Sequence, residues 1–91
     1  MKNISFELKD IKKRYGRNYL VSTVKLHFDY FIEDYVYETM IFPCDEGGKT
    51  NYKHEVYGDR YFTEEEARFG HKDILDNFTE LTFNIYEVEE D

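Results

Sequence analysis

Apolar and polar side chains alternate through much of the first forty residues, and one later stretch alone changes to helical period. That contrast limits the fold more than any single motif does. In "KNISFELKDI", Ile4, Phe6 and Leu8 alternate with Asn3, Ser5, Glu7 and Lys9, the period of a half-buried strand. "YLVSTVKLHFDYFI" repeats the pattern with Leu20, Val24, Leu26, Phe28 and Tyr30 on one parity. The basic segment "KKRYGRN" between them reads as a turn, with Gly16 free to take a positive φ, so the two strands form a hairpin. A further turn is expected between Asp29 and Asp34. "YVYETMIF" is apolar on both faces and suits a central position, with Pro43 closing it. "CDEGGKTN" is a loop around Gly47-Gly48, and "YKHEVYGD" a short edge strand. "ELTFNIYEVEED" returns to strand period, with Leu81, Phe83 and Ile85 facing one way.

The exception is "RYFTEEEARFGHKDIL". Thr63 with Glu66 three residues on is a capping box, and Glu64, Glu65 and Glu66 favour the positive end of a helix dipole. Ala67, Ile74, Leu75 and Phe78, with His71 in the same series, fall on one face. The spacing predicts a helix over about 64–78, with Gly70 letting its backbone approach a sheet closely. The expected fold is α+β: one domain over residues 1–91, a mostly antiparallel sheet of four to five strands, and one helix packed on a face. The helix should cover Val24, Leu26, Met40 and Phe83.

Ninety-one residues can bury a core without metal or disulfide, and a single cysteine, Cys44, forms no internal bridge. No apolar leader or stretch approaching the ~20 residues of a membrane span is evident, so the expectation is a soluble, cytoplasmic protein without a membrane role. Charge is divided unevenly. Residues 1–30 carry seven Lys/Arg against three Asp/Glu, while residues 31–91 carry five against seventeen, a net of +4 beside −12. An excess of carboxylates repels phosphate backbones and attracts basic partners.

Little in the sequence suggests catalysis. Three consecutive glutamates at a helix start fan over about 200° and do not converge. His71 reads as a core-edge histidine bonded to backbone or to Tyr. His27, His54, His71 and Cys44 lack ligand spacing for a metal, and Cys44 with His54 is a Cys/His coincidence without a family signature. The expectation is no enzyme, no metal and no cofactor.

Two surfaces suit binding better. Lys12, Lys13, Arg14 and Arg17 surround Tyr15, Gly16 and Tyr19, a basic tip with interleaved aromatics that could hold phosphates. Nine Tyr without Trp supply rigid contact area with polar ends. Tyr35, Tyr37, Tyr57 and Tyr61 are the candidate anchors, and Glu33, Asp34, Asp45, Glu46, Glu55 and Asp59 their surrounding field.

"YETMIFPCDEGG…DRYFTEEEARFGHKDIL", about half the chain, resembles small uncharacterised proteins of tailed bacteriophages and prophages. The likeness rests on Tyr37-Glu38-Thr39-Met40-Ile41-Phe42, Asp59-Arg60-Tyr61, Thr63-Glu64-Glu65-Glu66-Ala67 and Gly70-His71. It implies a phage accessory gene, acting in an infected or lysogenic bacterium, and supplies no catalytic residue. The expected function is binding and inhibition of a basic host protein. A nucleic-acid-binding enzyme is one such target, blocked in the manner of an anti-CRISPR protein or other DNA mimic. The alternatives are a structural or oligomer-forming module, including a homodimer, and a nucleic-acid binder using the basic tip.

Overall fold

The computed structural model describes residues 6–26 and 36–84. Within them the chain forms β1 (Glu7–Arg14), β2 (Arg17–Lys25), β3 (Tyr37–Cys44) and β4 (Tyr57–Tyr61), then α1 (Glu64–Asp76) and a 3-10 turn, Phe78–Glu80. The strands pair antiparallel in chain order, so β2 and β3 are central and β1 and β4 are the edges. One helix lies on a face of a four-stranded antiparallel sheet, the α+β arrangement expected.

Local chemistry explains the boundaries. The β1–β2 connection is only Tyr15 (φ 52°) and Gly16 (φ 80°). A two-residue turn with both φ positive matches the twist of a tight hairpin. Lys12, Lys13, Arg14 and Arg17, expected in the turn, therefore belong to the paired strands. Pro43 does not end β3: it pairs with Tyr19, and Cys44 pairs with Asn18 beyond it. β4 begins at Tyr57, later than the expected edge strand. The expected closing strand is absent from Leu81 to Asn84, which follow the 3-10 turn as irregular chain. Phe28, Tyr30, the Asp29–Asp34 turn and Ile85 lie outside the described residues.

The helix covers the opposite parity of β2 from the one expected. Its floor is Val21 and Thr23 of β2, with Thr39 and Ile41 of β3, all four fully buried. Val24 and Met40 are on the other face, in rows with Glu38 and Ser22. Both parities of β2 carry apolar residues, and threonines buried as a pair look outward-facing in a hydropathy pattern. Leu20 and Phe42 on the far face are buried as well, with the Tyr52 ring set edge-on against Phe42 at 5.0 Å.

Two apolar clusters lie under the helix with a polar layer between them. One holds Val21, Ile41, Val56, Ile74 and Phe78, flanked by half-buried Leu75, Leu81 and Phe83. The other holds Tyr37, Tyr61 and Ala67, with Phe6 and Val36 against it. Between them sit Thr23, Thr39 and His71, the buried polar residues of the described chain.

Candidate functional site

The polar layer resembles a catalytic array in composition. Tyr61 donates its hydroxyl to Thr39 Oγ1 at 3.1 Å, and Thr39 bonds Thr23. Thr23 Oγ1 is 2.7 Å from His71 Nδ1, and His71 Nε2 is 2.8 Å from Asp10 Oδ2. A carboxylate only accepts, so Nε2 carries a hydrogen. On a neutral ring Nδ1 then accepts from Thr23, Thr23 from Thr39, and Thr39 from Tyr61. Every hydroxyl hydrogen has a partner. This histidine is bonded to Thr23 and Asp10, and not to backbone or Tyr as expected.

An Asp–His–Thr sequence of hydrogen bonds is the constellation that activates a hydroxyl nucleophile. Here, however, Thr23 is 0% exposed, so its oxygen faces the interior. Thr23, Thr39 and His71 are buried while the Asp10 carboxylate is half exposed, and a satisfied network of this kind specifies a single packing of helix on sheet.

The other chemical candidates are separated. Cys44 Sγ lies 3.6 Å from Thr50 Oγ1, whereas His54 Nδ1 is paired with the Asn51 amide at 3.1 Å. Among the described residues, no group of three or more His, Cys, Asp or Glu could hold a metal ion. No helix there is long and apolar enough to cross a membrane.

The glutamates after Thr63 do what a helix start requires. Thr63 Oγ1 accepts from the Glu66 amide at 3.1 Å, and Glu66 Oε1 accepts from the Phe62 amide at 3.0 Å. The reciprocal bond thus reaches one residue further back than the box expected on Thr63. Glu64 pairs with Arg68 at 2.9 Å, leaving Glu65 to solvent.

Among the described residues, the binding residues expected from sequence are divided between core and surface. Tyr37 and Tyr61 are buried in the second apolar cluster and act as core. They alternate onto the helix side of their strands, opposite each other in the register, where the helix excludes water from both. Tyr57 is half-buried beside the first cluster. Glu33, Asp34 and Tyr35 lie outside the described residues. Asp45 and Glu46 follow Cys44 at the hairpin-tip end of the sheet, and Asp59 is near its other end, roughly 15–20 Å away at the rise of a strand. Asp45 accepts the Lys49 amide in its own loop at 2.8 Å. Glu55 leans over Gly58, where an added Cβ would meet its carboxylate. Burial pushes the Glu55 carboxyl up, Glu38 adds to the shift, and Arg60 opposes it.

The basic tip is also divided. Arg14 turns inward: its Nη1 donates to the Phe78 carbonyl at 3.2 Å, and its guanidinium lies 4.0 Å from the Phe83 ring centroid. Lys12 is half-buried, so Lys13 and Arg17 are the exposed cations, beside an exposed Tyr15.

One groove does gather aromatic and acidic groups. It runs between β4 and the first turns of α1 and is lined by Asp59, Tyr61, Thr63, Glu65, Glu66, Phe69 and Gly70, with a volume of ≈ 780 Å³. Gly70 opens it, since the bare helix backbone there lets Tyr61 form the floor. Phe69 stands at the rim 73% exposed. It could have been found in the sequence as an aromatic outside the apolar helix series, but its neighbours required the fold. Comparison with protein-family models, curated proteins and solved structures finds no match to this chain.

Proposed function

We propose that this chain works by equilibrium binding to a basic protein, without turnover. The observation that carries the reading is the set of carboxylates left without a cation. Surface ion pairs occupy Glu7, Glu38, Glu64 and Asp76. Glu46, Asp59, Glu65 and Glu80 are exposed and in no ion pair among the described residues, on a chain of net charge −8. Such a field steers encounter with a cationic surface and raises the association rate at low salt. The burial of Thr23, at the inner end of the Asp10–His71–Thr23 array, supports binding over catalysis.

The resemblance to tailed-phage proteins supports a narrower form: an accessory protein that inhibits a host enzyme, with anti-defence inhibition by DNA mimicry as one version. The test is capture of a partner from bacterial lysate, followed by titration at about 0.1 M and about 1 M salt, where the Debye length falls from about 10 to about 3 Å. A saturable complex that weakens with salt is expected, and mimicry further requires that the partner release DNA. Affinity indifferent to salt and to reversal of Asp45 with Glu46 would sink the reading. A second reading, an oligomer-forming module, is favoured by Ile11, 57% exposed on edge strand β1. A defined oligomer lost on Ile11→Lys would support it.

A further inference from the structure

We infer that the groove between β4 and α1 receives an arginine side chain of the partner, stacked on Phe69 and paired with the groove carboxylates. This rests on the binding reading above and names the chemistry of its site.

The molecule already holds arginines in this way. On the β1 side of the helix, Arg68 lies 4.8 Å from the Phe6 ring centroid while the Glu64 carboxylate holds it at 2.9 Å. Arg14 similarly lies over Phe83. Each is a guanidinium with an aromatic face on one side and an oxygen acceptor at its edge, the geometry the planar fork favours. On the β4 side, Phe69 supplies the ring, Glu65 one helical turn before it supplies a carboxylate, and Asp59 supplies a second from the sheet. Among the described residues, no arginine or lysine lines the groove.

A large exposed aromatic between carboxylates gains little as a solubilising surface and does not contribute to the core. A partner arginine would desolvate Phe69 and neutralise Glu65 together. Glu66 Oε1 accepts the Phe62 amide and Asp59 Oδ1 the Arg60 amide, so Glu65 is the main acceptor, with the second oxygen of Asp59 beside it. Lysine, a compact and strongly hydrated charge, would gain less from the ring.

The probes are three blocked peptides, acetyl-Gly-Xaa-Gly-amide with arginine, lysine or citrulline, titrated into the full ¹⁵N-labelled chain. Citrulline keeps the shape and removes the charge. The arginine peptide should shift the amides of Glu65, Phe69 and Gly70 in a saturable way, with the lysine peptide weaker and the citrulline peptide silent. Phe69→Leu, a change at an exposed site, should weaken the arginine response about fivefold. An equal citrulline response, shifts spread evenly to Asp45, Glu46 and Glu80, or an unchanged Phe69→Leu would overturn the inference. So would peptide-free, concentration-dependent shifts in the groove, since its occupant would then be a second copy's basic tip. If the groove fails but salt-sensitive partner binding persists and depends on Asp45 and Glu46, the binding reading survives without this site. If neither responds, both fall.

Discussion

Gly70 and Tyr61 occupy one another's space. A Cβ at Gly70 would fall 2.5 Å from the Tyr61 hydroxyl oxygen and from Cε1. Alanine is the better helix former by about 1 kcal/mol, so propensity alone predicts that Gly70→Ala stabilises. Packing decides otherwise. The Tyr61 ring is buried and its hydroxyl is held by Thr39, so it can yield only by breaking that bond or lifting the helix. Overpacking of this kind costs about 1–3 kcal/mol. Gly70→Ala should be net destabilising in urea titration, and Tyr61→Leu in the same chain should recover part of the loss.

The buried network makes a sharper prediction. Thr23→Val keeps the shape but leaves the His71 ring nitrogen and the Thr39 hydroxyl without their shared partner. Unsatisfied buried groups cost about 1–3 kcal/mol each way the bond is broken. Thr39→Val removes one end of the same bond, so the double variant should cost less than the two single losses added. Strict additivity in a double-mutant cycle would show that the two hydroxyls do not interact.

The helix was legible because its signals are local. Thr63, the three glutamates and the spacing of Ala67, Ile74 and Phe78 act within a few residues of each other, and they mark α1 to within a residue or two. The sheet was legible in strand number and pairing and misread in facing. Counting Thr23 and Thr39 as polar moved the expected floor of the helix to Val24, Leu26 and Met40, because hydropathy does not record that two threonines can satisfy each other in the interior. The groove was hidden for a different reason. Asp59, Tyr61 and Phe69 come together only once β4 and α1 are placed, and the tyrosines that seemed free to bind, Tyr37 and Tyr61, are needed beneath the helix.

The cap carries a stability prediction of its own. Thr63→Ala removes the acceptor for the Glu66 amide and should cost about 1 kcal/mol. An unchanged urea midpoint for Thr63→Ala would show that this bond does not hold the helix start.

Glu55 gives the pH dependence. Its carboxyl is raised by burial first and by Glu38 second. A raised acid binds its proton more tightly folded than unfolded, so stability falls as pH rises from the ordinary carboxyl range through the folded value. The penalty is absent in acid and complete at neutral pH. Glu55→Gln should therefore raise the midpoint of thermal unfolding at pH 7 and leave it nearly unchanged below about pH 4. An equal gain at both values would assign the effect to packing over Gly58.

Arg14 separates fold from function at the hairpin tip. Its guanidinium bonds the Phe78 carbonyl and stacks on Phe83, which ties β1 to the chain leaving α1. A hydrogen bond from a charged donor to a part-buried carbonyl contributes about 1.5–3 kcal/mol, and the stacking adds to it. Lys13 and Arg17 have no such anchor and project from the paired strands into solvent. Arg14→Ala should thus destabilise by about 2 kcal/mol in urea titration, while Lys13→Ala and Arg17→Ala should stay within about 0.5 kcal/mol. Arg14→Lys keeps the charge but loses the planar face, so it should recover only part of the loss. The same variants test the tip as a phosphate site. If short single-stranded DNA binds the protein, Lys13→Ala and Arg17→Ala should weaken it and lower its salt dependence, because each removes a phosphate contact. If they leave it unchanged, the tip is a structural hairpin whose one committed cation is Arg14.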